Sequence, residues 1–321
     1  MNEDYTELRG FDHYGQPSLT NQLESNLKSY LDWSLLRKGA WQNVTTGTVS
    51  PFGGRPADLH EVNDRNYSAD TVFQSIRKDW IWESGVNYSS PTGGAFNPLT
   101  VQVYLDNTAI NTGTVGATHH INYTLGRVVF DSPQTATVKA KYSYRKVQVY
   151  LADDINWWFE VQYDTFNTAD TQWSQNLASG DYSLASTNRI QLPAIVIEPL
   201  KTSSAKPYEL GGLTKFNKQD VIFHVIAEDR YTRNNLADYL RLQEEKTIIL
   251  YDTVAVANGG YFPLDERGMV VSNPIIYPDI VNNSSLFYNT ARFNKINITD
   301  VKTDQPNLHW SVVRAQVEII H

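Results

Sequence analysis

The chain has 321 residues, a formal charge of −8 and no cysteine. That length fits two or three domains better than one, and the missing cysteine excludes a disulfide framework, a thiolate metal site and a cysteine nucleophile. The acidic balance, with no basic run longer than two residues, excludes a reader of nucleic acid that works by clamping phosphates.

Charged residues make up only 19% while aromatics reach 12%, with 19 Tyr and 8 Trp. Rings with a polar tip in such number suit an aromatic-rich β protein or a chain with an extensive subunit interface. The first residues are acidic and polar, so no export leader is expected, and no apolar run approaches the roughly 18 residues a membrane span needs. Asn-x-Ser/Thr triplets at Asn43, Asn66, Asn122 and Asn297 reflect an Asn- and Thr-rich composition more readily than glycosylation.

In chain order, residues 1–40 form an N-terminal helical segment. Pro17 and Ser18 open the helix, Thr20 can cap its first turn, and Leu19, Leu23, Leu27, Leu31 and Leu35 recur every fourth residue until Gly39. The apolar band is narrow, so the helix is expected on a surface, preferably that of its own domain.

Residues 41–152 read as a β-rich, sandwich-like module. Short runs at 41–49, 71–83 and 100–105 are divided by Gly and Pro clusters at 51–56 and 91–98. Trp80 and Trp82 would share one face of a strand, as core or interface rather than as a sugar-stacking platform. Residues 122–144 read as a β-hairpin, with runs Arg127–Phe130 and Thr137–Tyr144 joined at Asp131, Ser132 and Pro133. In the second run Val138, Ala140, Tyr142 and Tyr144 would face inward, and Thr137, Lys139, Lys141 and Ser143 outward. His119 and His120 precede the hairpin, but neighbours on a strand point to opposite faces and cannot readily share a metal.

Residues 153–321 read as an α+β unit. Residues 154–165 carry a bulky apolar face, and 190–200 form an apolar run. Asp220–Ala227 reads as a buried strand, a helix follows from about Arg233 to Glu245 with Leu236, Tyr239 and Leu240, and Thr247–Asp252 is a second strand. Together they give a compact β-α-β signal. Trp310–Ile320 is expected to return to the same sheet. The fold class is therefore α+β.

Acidic pairs are the material for catalysis: Asp153 with Asp154, Glu228 with Asp229, Glu244 with Glu245. For Glu228 and Asp229 helix capping is the simpler role, with Arg230 and Arg233 reaching outward. The sequence carries no GxSxG elbow, phosphate loop, HExxH helix or GxGxxG after a strand. The glycine pairs 53–54, 93–94, 211–212 and 259–260 read as bends. No enzyme activity, catalytic residue, cofactor or metal is expected.

The order of a leucine helix, a β module with LGRVVFDSP and VKAKYSY, and DVIFHVIAEDRYTRNNLADYLRLQEEKTIILYD resembles structural proteins of tailed bacteriophages, the C-terminal unit looking like the small α+β fold of tail-terminator and neck proteins. The resemblance implies a virion component made in the host cytoplasm. It would form a homo-oligomeric ring at the neck or tail end, touching other neck, portal-adaptor or tail proteins. DNA would pass through without sequence-specific binding, and no membrane is involved. Interface residues expected on this reading are Leu23, Leu27, Leu31, Trp80, Trp82, Arg230 and Arg233, together with the terminal strand. A tail-fibre or baseplate glycan-binding protein, and a carbohydrate-active hydrolase, remain alternatives.

Overall fold

The computed structural model describes residues 17–48, 56–83, 86, 88–89, 95–154, 192–207, 215–272, 274–301 and 308–320. Three glycine pairs (53–54, 93–94 and 211–212) and the segment 155–165 lie outside these residues. Helix and strand are both present, and strand predominates.

Helix α1 (Leu19–Arg37) starts at Ser18, whose hydroxyl accepts from the Asn21 amide. Ser18 is thus the cap, not Thr20, which instead lies near Gln219. The chain leaves the helix through Gly39 at φ +79°, a left-handed conformation that costs glycine little.

Ten short strands follow: β1 (Trp41–Val44), β2 (His60–Glu61), β3 (Val72–Gln74), β4 (Tyr88–Ser89), β5 (Ala95–Phe96), β6 (Gln102–Leu105), β7 (Thr108–Ile110), β8 (His119–Asn122), β9 (Arg127–Phe130) and β10 (Val138–Arg145). Apart from the small β4–β5 pair they form two four-stranded sheets, β1-β10-β6-β7 and β2-β3-β9-β8. The sheets share one core that includes Val44, Phe73, Val103, Val128, Phe130 and Tyr142.

The hairpin expected over 122–144 does not form. β9 is already paired on both edges, by β3 and β8, so it has no edge left for β10. The Asp131–Ser132–Pro133 turn instead carries the chain from one sheet to the other. Val138, Ala140, Tyr142 and Tyr144 face inward as expected and are all buried; Ser143, expected outside, is buried as well. The hairpins that do form are β8–β9, turning at Gly126, and β6–β7, turning at Asp106 and Asn107, both with positive φ.

The largest sheet has the order β11-β12-β13-β16-β15-β14, with β11 (Gln148–Leu151), β12 (Ala194–Pro207), β13 (Lys215–Ala227), β14 (Thr247–Tyr251), β15 (Phe287–Val301) and β16 (His309–Ile320). Helix α2 (Arg230–Arg241) links β13 to β14, and two short helices, α3 (Thr253–Asn258) and α4 (Tyr277–Asn282), link β14 to β15. Alternation along the strands sends Val221, Phe223, Val225, Val313, Ala315 and Val317 to one face, where they pack with Leu23, Leu27 and Leu31 of α1 and Leu236 and Leu240 of α2.

Two sequence readings change here. α2 begins at Arg230, three residues before its expected start. β13 and β14 are not neighbours in a β-α-β unit: β16 and β15 lie between them, and the successive antiparallel pairings leave β14 antiparallel to β13. Both strand runs are apolar, and periodicity cannot say which strands intervene.

Candidate assembly surface

The residues expected at an interface are divided by the structure between interior and surface. Leu23 and Leu27 are fully buried and Leu31 nearly so, all within the core beneath the six-stranded sheet. Trp80 is fully buried as well. Its ring stacks on Tyr142 at 4.3 Å, and its indole N–H donates to the Arg77 carbonyl at 3.0 Å and lies 3.1 Å from the Ser75 hydroxyl.

These four side chains bind parts of the same chain together, so an interface role for them is corrected to a core role. Burial also removes Trp80 as a sugar platform. Trp80 and Trp82 do not share a regular strand, because Asp79 takes a φ of +54° and Trp80 makes only an isolated bridge to Tyr144. Trp82 is half-buried.

Arg233 does not reach outward. It is buried on the inner side of α2, donating to Asp300 Oδ1 at 2.5 Å and to Ser311 Oγ at 2.6 Å, which ties the helix to β15 and β16. Arg230 is exposed, as is Tyr231. Asp229 caps α2, accepting from the Thr232 amide at 2.8 Å, and that hydrogen bond holds its carboxyl below the ordinary carboxylate range. Glu245 pairs with Arg292 across the β14–β15 edge. These acidic residues, candidates for catalysis by sequence, cap a helix and pair a strand edge.

The expected interface strand β16 is held on both edges, by β13 and β15. Only one of its faces is outside the helix-covered core, the one bearing Val312, Arg314, Gln316 and Glu318. Towards the lower end of the sheet that face is polar. Lys218 pairs with Glu318 at 2.7 Å, Asn294 donates to Glu318 and Gln316, and Asp220, Lys295, Asn297, Arg314 and Gln316, with Leu200, line a shallow cleft of about 190 Å³. Lys206, Lys218, Arg292, Lys295 and Arg314 share this face with Glu198, Asp220 and Glu318, so it carries both signs of charge, with cations in the majority. Towards the upper end the face is apolar and buried at Ala194, Val196 and Ile226. His224 donates to or accepts from Glu198 at 2.8 Å; burial lowers its pKa, opposed by Glu198.

One buried charge cluster was not foreseen from sequence. Arg145, at the end of β10, donates to Asp32 of α1 at 2.8 Å and is paired with Glu83. Burial alone would weaken its charge, but Asp32, Glu83 and Asp79 raise its pKa above the ordinary arginine value. Burial pushes the Asp79 carboxyl up to about 6, against the pull of Arg145, and burial raises Glu83 likewise. Three carboxylates converge on one guanidinium from residues far apart in sequence, where the small sheets meet α1. Among the described residues no group of three or more His, Asp or Glu is placed to hold a metal ion. His119 turns inward, its Nδ1 2.9 Å from the Ala117 carbonyl.

A second junction lies at the β8–β9 turn. The Gly268 carbonyl, in the loop after α3, accepts from the Tyr123 amide at 2.9 Å, so the loop of the larger sheet's α3–α4 connection is seated on the small sheets.

Comparison with protein-family models and with curated proteins gives no match. Among the described residues no helix is long and apolar enough to cross a membrane.

Proposed function

We propose that this chain is a non-enzymatic structural component of a tailed phage virion, assembling into an oligomeric ring at the neck or tail end that joins head and tail and lets DNA pass. On this reading the two small sheets are a sandwich-like module, and the six-stranded sheet with α1 and α2 is the tail-terminator-like unit that packs ring neighbours. The observation that carries it is the asymmetry of that sheet. One face is sealed by two helices, while the lower half of the other is polar and carries both signs of charge.

Such a face suits a bore. Phosphates bind tightly to clustered Lys and Arg through counterion release; here acidic residues are interspersed among the cations and Lys218 is paired with Glu318, which would weaken the hold on a passing duplex. The helices would then lie outside, towards neighbouring proteins, presenting Arg230, Tyr231, Tyr239 and Leu242 of and just after α2.

Depletion of the chain from the phage that encodes it tests the reading. The expected product is filled heads and tails that fail to join, or tails of uncontrolled length. Normal yields of intact, infectious particles without the chain would refute it.

A further inference from the structure

The six-stranded sheet has staggered ends. β11 covers β12 only from Ala194 to Ile197, so among the described residues the outer edge of β12 is unpaired from there to Pro207. On the opposite side β14 covers β15 only from Phe287 to Arg292, and the last contact is Phe293 with Glu245 and Lys246. From Asn294 to Val301 the outer edge of β15 has no partner strand among the described residues. The two open half-edges therefore lie at diagonally opposite corners of one sheet.

We infer that these half-edges pair with each other between two copies of the chain, the upper half of β15 in one copy joining the lower half of β12 in the next. Three features of the sheet select a second copy as the occupant.

The first is polarity. β12, β13, β16 and β15 are successively antiparallel, so β12 and β15 point in opposite directions. Two copies standing side by side in the same orientation would bring them together as an antiparallel pair.

The second is the stagger. Ser204, near the middle of the β12 half-edge, is level with Lys218, whereas Ile298, in the middle of the β15 half-edge, is level through Val313 with Phe223. The offset of five residues is about 17 Å at roughly 3.4 Å per residue, and joining β15 of one copy to β12 of the next gives a repeat of four strands (β12, β13, β16 and β15), about 19 Å at roughly 4.8 Å per strand. Joining the half-edges in register thus requires strands tilted by about 40° to the ring axis, within the ~35–45° at which closed barrels form. A flat row would leave each edge half open, and a tilted closed ring fills both.

The third is how the edges are guarded. Pro199 and Pro207 bracket the β12 half-edge, and a bulge between Phe293 and Lys295 marks the start of the β15 half-edge. Prolines and bulges limit indiscriminate edge pairing. Here they sit at the ends of the open stretches and leave the middles, around Ser204 and around Asn297 to Thr299, able to pair.

The inference rests on the ring reading and names the contact that would close the ring. Ser204, Asn297 and Thr299 are exposed on the face away from the helices, and the chain has no cysteine, so engineered thiols report without background. Full-length Ser204→Cys/Thr299→Cys and Ser204→Cys/Asn297→Cys would be oxidised over a range of concentrations beside native mass spectrometry of the unmodified chain. The expected result is a ladder of disulfide-linked multimers from at least one pair, with none from Ala205→Cys/Thr299→Cys, because Ala205 lies on the opposite face. Symmetric oligomers whose pairs never cross-link would overturn the edge pairing and leave the ring reading standing. A chain that stays monomeric and uncross-linked at every concentration would also overturn self-pairing, and the ring reading would then rest on the location of the chain in the particle.

Discussion

Trp80→Ala separates a core role from an interface role most sharply. Trp80 is fully buried, stacked on Tyr142, and its indole N–H is satisfied by Arg77 and Ser75. A buried Trp removes on the order of 200 Å² from water, worth about 5 kcal/mol at ~25 cal/mol per Å² as an upper bound. Ser75 and the Arg77 carbonyl remain hydrogen-bonded to each other, so little is added for stranded polar groups. The cavity left between the two small sheets sets the expected loss at about 4 kcal/mol, within the ~3–5 kcal/mol typical of such truncations. Urea unfolding of the monomer, followed by circular dichroism with the slope checked for constancy, reads this directly. Trp82→Ala, at a half-buried position, should cost about 1 kcal/mol. If Trp80→Ala cost under about 1 kcal/mol yet abolished assembly, Trp80 would be an interface residue and the packing described above would be wrong.

Three further outcomes follow from named contacts. Asp79, held near pH 6 by burial, would otherwise titrate near 3.8; a raised carboxyl pKa means the folded state holds its proton more tightly, so stability falls as pH rises from about 4 to 6 and the cost is fully present above 6. Asp79→Asn, tolerated at positive φ, should therefore stabilise the fold at pH 8 by up to about 3 kcal/mol and give no gain at pH 4, since Asp32 and Glu83 still hold Arg145; equal effects at both pH values in thermal melts would contradict this. The Asn26 side chain accepts from the Tyr251 amide and donates to the Tyr251 carbonyl, so Asn26→Ala strands two buried backbone groups and should lower stability by about 2–4 kcal/mol, read as faster amide exchange at Tyr251. Gly126 has a φ of +63°, and a Cβ there would overlap the Arg77 carbonyl oxygen and crowd the Trp80 indole; Gly126→Ala should cost more than about 2 kcal/mol, and a near-neutral melting temperature would show that the turn can relax.

Much of the larger unit was legible in the sequence. The leucine repeat of α1, the apolar run of β13, the amphipathic α2 and the terminal strand each carry a period that burial imposes. What stayed hidden was which element meets which. Alternation in residues 137–144 gives the buried set apart from Ser143, but the same alternation fits a hairpin or two strands of facing sheets, and only the two occupied edges of β9 decide between them. The two-residue turn at Asp106–Asn107 is built from residues that tolerate positive φ, a weaker signal in the sequence than the Pro-containing turn. The same limit governs the expected interface. Leu23, Leu27, Leu31 and Trp80 are large and apolar, and sequence cannot tell whether such residues face their own sheet or a neighbour. Arg145 with Asp32, Glu83 and Asp79 was illegible because its members come from three separated segments, and no spacing links them.

The central claim is tested most directly by cryo-electron microscopy of intact particles, with this chain placed by side-chain fit. The account predicts a symmetric ring at the head–tail joint or tail end, the polar face of the six-stranded sheet lining the bore and α1 and α2 outside it. Density at a distal fibre tip, or no density for the chain in the particle, would contradict it.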